Sequence, residues 1–205
     1  MKTLLKIQAS IYGSGGQSSK LADQFVSQWL ANNPNGRVVT RDLSVEPVPH
    51  LTQERFGAFL TAPAERTTEQ QAIVDYSDAL IDELQNADAI VFAVPMYNFS
   101  VPSTIRAYFD HIARAGVTFR YTERGSEGLI KGKQVYVFLA RGGVYSGEAD
   151  TQTPYLRQFL GFIGLTDAKF IYAQGLAMGE EARDRSLVQA RHAIEEIMPA
   201  TRAAA

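Results

Sequence analysis

The sequence predicts a doubly wound α/β fold, a five-stranded parallel sheet with helices on both faces. Three observations carry this expectation. Short, continuously apolar runs, Ala89 to Val94 above all, read as strands buried on both sides. Between them lie segments with apolar residues at helical spacing, such as Leu21, Phe25, Trp29 and Leu30. The chain also opens as strand, glycine-rich loop, helix and strand, which is a βαβ unit.

Taken in order, Leu4 to Ala9 is the first expected strand. Residues 10–19, rich in Gly and Ser, continue neither strand nor helix, so the first helix is expected from Lys20 to the Asn32-Asn33-Pro34-Asn35-Gly36 turn. Arg37 to Asp42 supplies a second strand, and the proline-rich stretch from Ser44 to Pro63 reads as irregular with a short helix over 53–60. Thr67 and Gln70 fit a capping box opening a helix that runs to about Gln85. After the 89–94 strand, a loop over 95–102 leads to a helix over 103–115, stopped by Gly116. Gln134 to Ala140 is a fourth strand, broken by Arg141-Gly142-Gly143. A helix over 153–164 accepts Pro154 in its first turn; a fifth strand, 168–173, and a last amphipathic helix, 180–198, precede a frayed Ala203-Ala204-Ala205 tail. Neither repeat nor linker interrupts the series, so residues 1–205 are expected to form one domain; periodicity does not reveal strand order.

Composition removes several classes of function. Twenty Lys and Arg against 22 Asp and Glu leave a formal charge of −2, without the basic excess of a nucleic-acid module. Cysteine is absent, which excludes disulfides, thiolate nucleophiles and cysteine-held zinc or iron–sulfur centres. Lys6 and Gln8 interrupt the apolar amino terminus, so it does not read as a secretion signal, and no run approaches a membrane span. A soluble cytoplasmic protein is expected. None of His50, His111 and His192 has spaced partners for a metal, and none is singled out as catalytic; His111 is expected at a surface or interface.

In an open parallel sheet, ligands bind beyond the carboxyl ends of the strands, where the strand order reverses. Three loops of unusual composition leave such ends: 10–19, 95–102 and 140–148. The first offers glycines and side-chain donors (Ser10, Gln17, Ser18, Ser19) just before a helix, which suits a phosphate better than it suits a merely flexible loop. The P-loop pattern fails, since Gly16 is followed by Gln17-Ser18 where that motif has Lys and a hydroxyl residue. The dinucleotide pattern is partial: Gly13 and Gly15 match, Ser18 stands at the third glycine, and Asp42 could mimic the ribose-binding acid. In the second loop, Met96, Tyr97, Asn98 and Phe99 could border a flat ring, or could simply pack under the loop. The third, Arg141-Gly142-Gly143, lets backbone approach such a ring, or is a plain turn.

At these residues the chain resembles the FMN-dependent NADH:quinone oxidoreductases known as azoreductases. The likeness is clearest in Met96-Tyr97-Asn98-Phe99, in Gly116 to Glu123, in Arg141-Gly142-Gly143, and from Thr153-Pro154-Tyr155-Leu156 through Phe159 to Gly164. The resemblance implies a flavodoxin-like fold and a homodimer with FMN at each subunit boundary. It implies that Ser10, Gly16, Gln17 and Ser18 hold the FMN phosphate, that Met96, Tyr97, Asn98 and Phe99 border the isoalloxazine, and that Ala140, Arg141, Gly142 and Gly143 line its other polar edge. Phe99, Tyr121 and Phe162 match positions that shape the substrate pocket, although Phe162 reads equally as core. Gly16 and Ala140 depart from a pattern that commonly has serine, each losing a hydroxyl donor while keeping the backbone amide. The implied activity is hydride transfer from NADH or NADPH through flavin to quinones and azo compounds, with ping-pong kinetics and no protein acid required. Rival readings are a flavodoxin-like electron carrier, an NAD-binding dehydrogenase, and a sensor that keeps only the fold. The stripe Ile105, Tyr108, Phe109 and Ile112 suits either core or dimer contact.

Overall fold

The computed structural model describes residues 1–199. Strand β1 (Thr3–Gln8) leads into helix α1 (Gln17–Asn32) and β2 (Arg37–Asp42), and α2 (Gln53–Leu60) and α3 (Thr68–Asn86) then lead to β3 (Ala89–Pro95). Helix α4 (Ser103–Ile112) is followed by a small hairpin, β4 (Phe119–Thr122) and β5 (Gly125–Gly128), and by β6 (Gln134–Ala140). Helix α5 (Gln152–Ile163), β7 (Lys169–Ala173) and α6 (Glu180–Ile197) complete the chain. The five long strands form one parallel sheet in the order β2-β1-β3-β6-β7. The chain steps from β1 outward to β2 and returns to β3 on the other side of β1. The order therefore reverses between β1 and β3, and a crevice opens beyond their carboxyl ends.

Every residue of β3 is buried, as its unbroken apolar run requires. Ile90, Phe92 and Val94 join a core with α3, α4 and α5, while Ala89, Val91 and Ala93 face α1 and α6. The two cores thus sit on opposite faces of the sheet, with helices over each. Lys6 of β1 is buried beneath α1, where it pairs with Asp23. No helix among the described residues is long and apolar enough to cross a membrane.

Local signals locate most elements. Thr67 and Gln70 form the expected capping box at the start of α3. Gly164 ends α5 with a φ of 106°, a conformation that favours glycine. Two boundaries differ from expectation by three residues, and one element was not expected. Helix α1 begins at Gln17, earlier than Lys20, because Ser18 and Ser19 turn inward and enter its first turn. Helix α4 ends at Ile112, short of Ala115, where the Thr118 hydroxyl donates to the Ile112 carbonyl at 2.6 Å and accepts from the Arg114 N–H at 2.9 Å. The β4–β5 hairpin was not expected; its strands are four residues each and mostly exposed, and only Phe119 and Tyr121 of β4 alternate.

One side-chain expectation changes, and one open alternative is settled. His111 is fully buried and not at a surface: its Nε2 lies 3.1 Å from the Pro49 carbonyl, and its ring meets Phe59 and Tyr76 edge-on. Burial, with Arg55 and Arg114 nearby, holds its pKa below the ordinary histidine value. Ile105, Tyr108, Phe109 and Ile112 all lie inside the α3–α5 core. The Ala203–Ala205 tail and Met198's successors from Ala200 onward lie outside the described residues.

Candidate functional site

The site is built on three loops at the carboxyl edge of the sheet. After β1 the backbone folds tightly: the Gly13 N–H donates to the Ser10 carbonyl at 2.8 Å and the Gly15 N–H to that of Tyr12 at 2.9 Å. Gly16 then caps α1 in an extended conformation, without a side-chain cap. The reason for glycine there is steric, since a Cβ would stand 2.2 Å from the Ser10 Oγ. The Ser10 hydroxyl occupies the space that a side chain at 16 would need.

The helix start beyond Gly16 is rich in unsatisfied donors. The N–H groups of Gln17, Ser18 and Ser19 meet no acceptor among the described residues. The hydroxyls of Ser18 and Ser19 are completely buried and also lack a partner. The Ser10 hydroxyl accepts from the Tyr12 N–H at 3.2 Å and donates to no described group. No carboxylate lies in the first turn to compete. Buried donors without acceptors cost free energy, and at a positive helix end they select an anion.

The second loop holds a two-residue turn. Tyr97 and Ser100 exchange N–H···O bonds of 3.0 and 3.1 Å, while Asn98 and Phe99 sit at φ 50° and 64°. This is the geometry of a type I′ turn, tolerable for Asn and strained for Phe. Its surroundings hold it there: the Thr151 hydroxyl donates to the Phe99 carbonyl, and the Phe99 ring meets Tyr145 edge-on at 6.0 Å. The Tyr97 hydroxyl accepts from the Ile11 N–H at 3.1 Å, which ties the second loop to the first.

The third loop is pinned from behind. The carbonyls of Gly142 and Gly143 each accept at 2.9 Å from Ala177 and Gly175 of the loop after β7. Their N–H groups, and those of Asn98 and Phe99, meet no described acceptor. The Met96 N–H donates to the Ala140 carbonyl at 2.9 Å and joins the second and third loops.

Ser10, Gly16, Gln17 and Ser18 therefore gather at the start of α1, and Met96, Tyr97, Asn98, Phe99, Ala140, Gly142 and Gly143 gather beside them. Arg141 does not join their open side. Its guanidinium is buried and ion-paired with Asp150, its N–H donates to the Ala173 carbonyl, and its own carbonyl accepts from Leu176. Nor does the chain unite the three aromatic candidates. Tyr121 is exposed on the hairpin and packs edge-on against Phe119, which in turn meets Phe162 at 4.2 Å. Phe162 is half-buried: it packs against the α3–α5 core and also lines a cavity of about 300 Å³ with Tyr155, Gln158 and Phe159. No ring contact links this cluster to Phe99.

Asp42 is committed elsewhere. Its carboxylate accepts from the Gln8 amide at 2.5 Å and from the Ser44 N–H and hydroxyl at 2.9 and 2.6 Å. Desolvation alone would raise its pKa, but these hydrogen bonds from Ser44 and Gln8 outweigh it and hold the carboxyl below the usual range. It closes the turn after β2, which weakens the partial dinucleotide pattern. Thr151, Asp150, Gln152 and Gln174, which brace the second and third loops, carried no signal in the sequence.

A family model described as flavodoxin-like fold matches residues 1–198. The chain is 55% identical to the FMN-dependent NADH:quinone oxidoreductase of Cellvibrio japonicus (strain Ueda107), over 96% of this chain and 98% of that protein. The chain belongs to this flavodoxin-like family of FMN-dependent NADH:quinone oxidoreductases. Another member, FMN-dependent NADH:quinone oxidoreductase 6 of Burkholderia lata, is 54% identical over 95% of this chain and 98% of its own length. Among solved structures, an azoreductase from Bacillus anthracis strain Sterne superposes with a TM-score of 0.88 at 27% identity, covering 97% of this chain and 99% of that one. An FMN-dependent NADH-azoreductase from Bacillus anthracis strain Ames Ancestor, solved in complex with FMN, gives 0.83 at 25% identity, covering 97% and 100%.

Proposed function

We propose that this family member is an FMN-dependent oxidoreductase that passes hydride from NADH or NADPH to quinones and aromatic azo compounds. The observation that carries the reading is the set of unpartnered donors around one crevice. Those at the start of α1 match a phosphate monoester, and those of Asn98, Phe99, Gly142 and Gly143 match the polar edge of a flavin. Bound there, FMN would supply a ring that accepts and releases hydride at N5. Ser10, Gln17, Ser18 and the bare first-turn amides would hold the phosphate; Met96, Tyr97 and Phe99 would offer apolar surface to the ring. Ala140 would contribute only backbone and a methyl group. None of the three histidines is needed as an acid, because solvent supplies the remaining proton.

The whole chain acts in this reading as one cytoplasmic flavodoxin-like domain. Donor and acceptor take turns in a single opening, so parallel double-reciprocal plots are expected. The separation of Phe99 from Tyr121 and Phe162 within one subunit favours a homodimer, in which the aromatic wall of one copy completes the opening of the other. The test is an absorption spectrum of the protein with FMN, before and after anaerobic NADH. Bleaching by NADH and recovery on adding a quinone support the proposal. Absence of FMN binding sinks it, and binding without bleaching by NADH or NADPH favours an electron carrier or sensor.

A further inference from the structure

We infer that Arg141 is a positioning residue for the flavin, whose buried guanidinium locks the second and third loops at one mutual distance. Its side chain is entirely removed from solvent. Nε donates to the Gln152 Oε1 at 3.1 Å. Nη1 donates to Asp150 at 3.0 Å and to the Gln174 Oε1 at 3.2 Å. Nη2 donates to the other Asp150 oxygen at 3.0 Å and to the Thr153 hydroxyl at 2.8 Å. A guanidinium has five N–H groups, and all five are engaged.

Two of these partners pass the contact on. The Gln152 amide donates to the Pro95 carbonyl at 3.0 Å, at the root of the second loop. The Gln174 Oε1 also accepts from the Tyr145 N–H at 3.0 Å, within the third loop. Arg141 thus sits one residue from each of two backbone points, one in each of the two neighbouring loops. A fully bonded buried ion pair adds little stability over apolar packing but tolerates little displacement. That combination suits a spacer. It also explains an arginine directly beside two glycines: the glycines offer their N–H groups forward while the arginine anchors the strand end behind them.

The inference rests on the flavin reading, and its test separates the two. The Gln174 side chain serves here only as an acceptor, so Gln174→Glu keeps both bonds and Gln174→Leu removes both. Arg141→Lys keeps the charge beside Asp150 but offers three donors from one point. For each, FMN affinity would be measured by fluorescence titration of the apoprotein, alongside the bound-flavin absorption maxima and the urea midpoint. Gln174→Leu and Arg141→Lys are expected to bind FMN about tenfold more weakly and to shift the flavin spectrum, since each loses at least two buried hydrogen bonds and only part of that loss reaches the flavin. Gln174→Glu is expected to stay within roughly twofold of the parent. Unchanged FMN affinity and spectrum in Gln174→Leu and Arg141→Lys would overturn the inference, as would equal loss in Gln174→Glu and Gln174→Leu. A parent protein that binds no FMN removes the functional reading itself; a parent that binds it, with insensitive variants, removes only the spacer.

Discussion

At Ser18 a buried hydroxyl stands without a partner, and this has a measurable two-sided consequence. In the apoprotein the group is a liability of about 1–3 kcal/mol, whereas with a phosphate it becomes a bond. Ser18→Ala is therefore expected to leave apoprotein stability unchanged or slightly raised in urea, while weakening FMN binding about tenfold. Equal FMN affinity in the variant would remove Ser18 from the site. His111 gives a pH dependence. Its folded pKa is depressed by burial and by Arg55 and Arg114, so its contribution is intact above the unfolded value near 6.5. As pH falls below that, the unfolded chain takes up a proton that the folded one refuses, and stability declines by at most about 1.4 kcal/mol per pH unit. His111→Gln, which keeps an N–H for Pro49 but does not titrate, is expected to flatten urea midpoints measured between pH 6.5 and 5. The gathering of Ser10, Gly16, Gln17 and Ser18 at the start of α1 was legible because a glycine- and serine-rich stretch directly after a strand has few other uses. The position of Arg141 was not, because its partners lie in two other segments that meet only on folding.

Among elements, the Tyr97–Ser100 turn links sequence to function most closely. Phenylalanine at φ 64° costs roughly 1–2 kcal/mol, which glycine would recover, less about 0.5–1 for the greater freedom of the unfolded chain. Phe99→Gly is thus expected to move the thermal midpoint little while raising KM for flat acceptors; a matching fall in stability with unchanged KM would make Phe99 structural. Thr67→Ala removes half of the α3 capping box and should lower unfolding free energy by about 1 kcal/mol, with no effect on FMN affinity. Capping chemistry of this kind is local, so the start of α3 could be read directly. The start of α1 could not: serine favours non-helical backbone, and only inward burial of Ser18 and Ser19 carries the helix back to Gln17. The β4–β5 hairpin escaped for a related reason. Phe119 and Tyr121 alternate with polar residues over only four positions, β5 has no apolar residue and no Asn-Gly turn joins them, so the ladder between the strands defines the hairpin.

For the molecule as a whole, periodicity supplied five strands but not their neighbours, because a run covered on both faces, as β3 is, looks the same in any slot. The slots decide everything about the site. Placing β1 beside β3, and β3 beside β6, brings residues 10–19, 95–102 and 140–148 to a common edge. The aromatic wall of Phe119, Tyr121 and Phe162 remains outside that edge within one subunit. Sedimentation equilibrium is accordingly expected to give twice the chain mass. Phe162→Asp should shift the species toward one chain and lower quinone turnover together. A fully active single chain at micromolar concentration would place the wall elsewhere.

The same strand order governs how the chain leaves the ribosome. Strand β3 can pair with β1 as soon as it emerges, but its other edge is satisfied only by β6. Roughly 45 residues separate the ends of these strands, or about 2–9 s of synthesis at 5–20 residues per second. Throughout that interval a wholly apolar strand presents a bare ladder of N–H and C=O groups, the kind of edge on which other nascent chains aggregate. The interval also precedes the glycines at 142 and 143, so the cofactor cannot rescue the half-built sheet by binding to it. Chaperone protection of the growing chain is therefore expected to raise its yield in cells, flavin acting only once residues 142 and 143 are made.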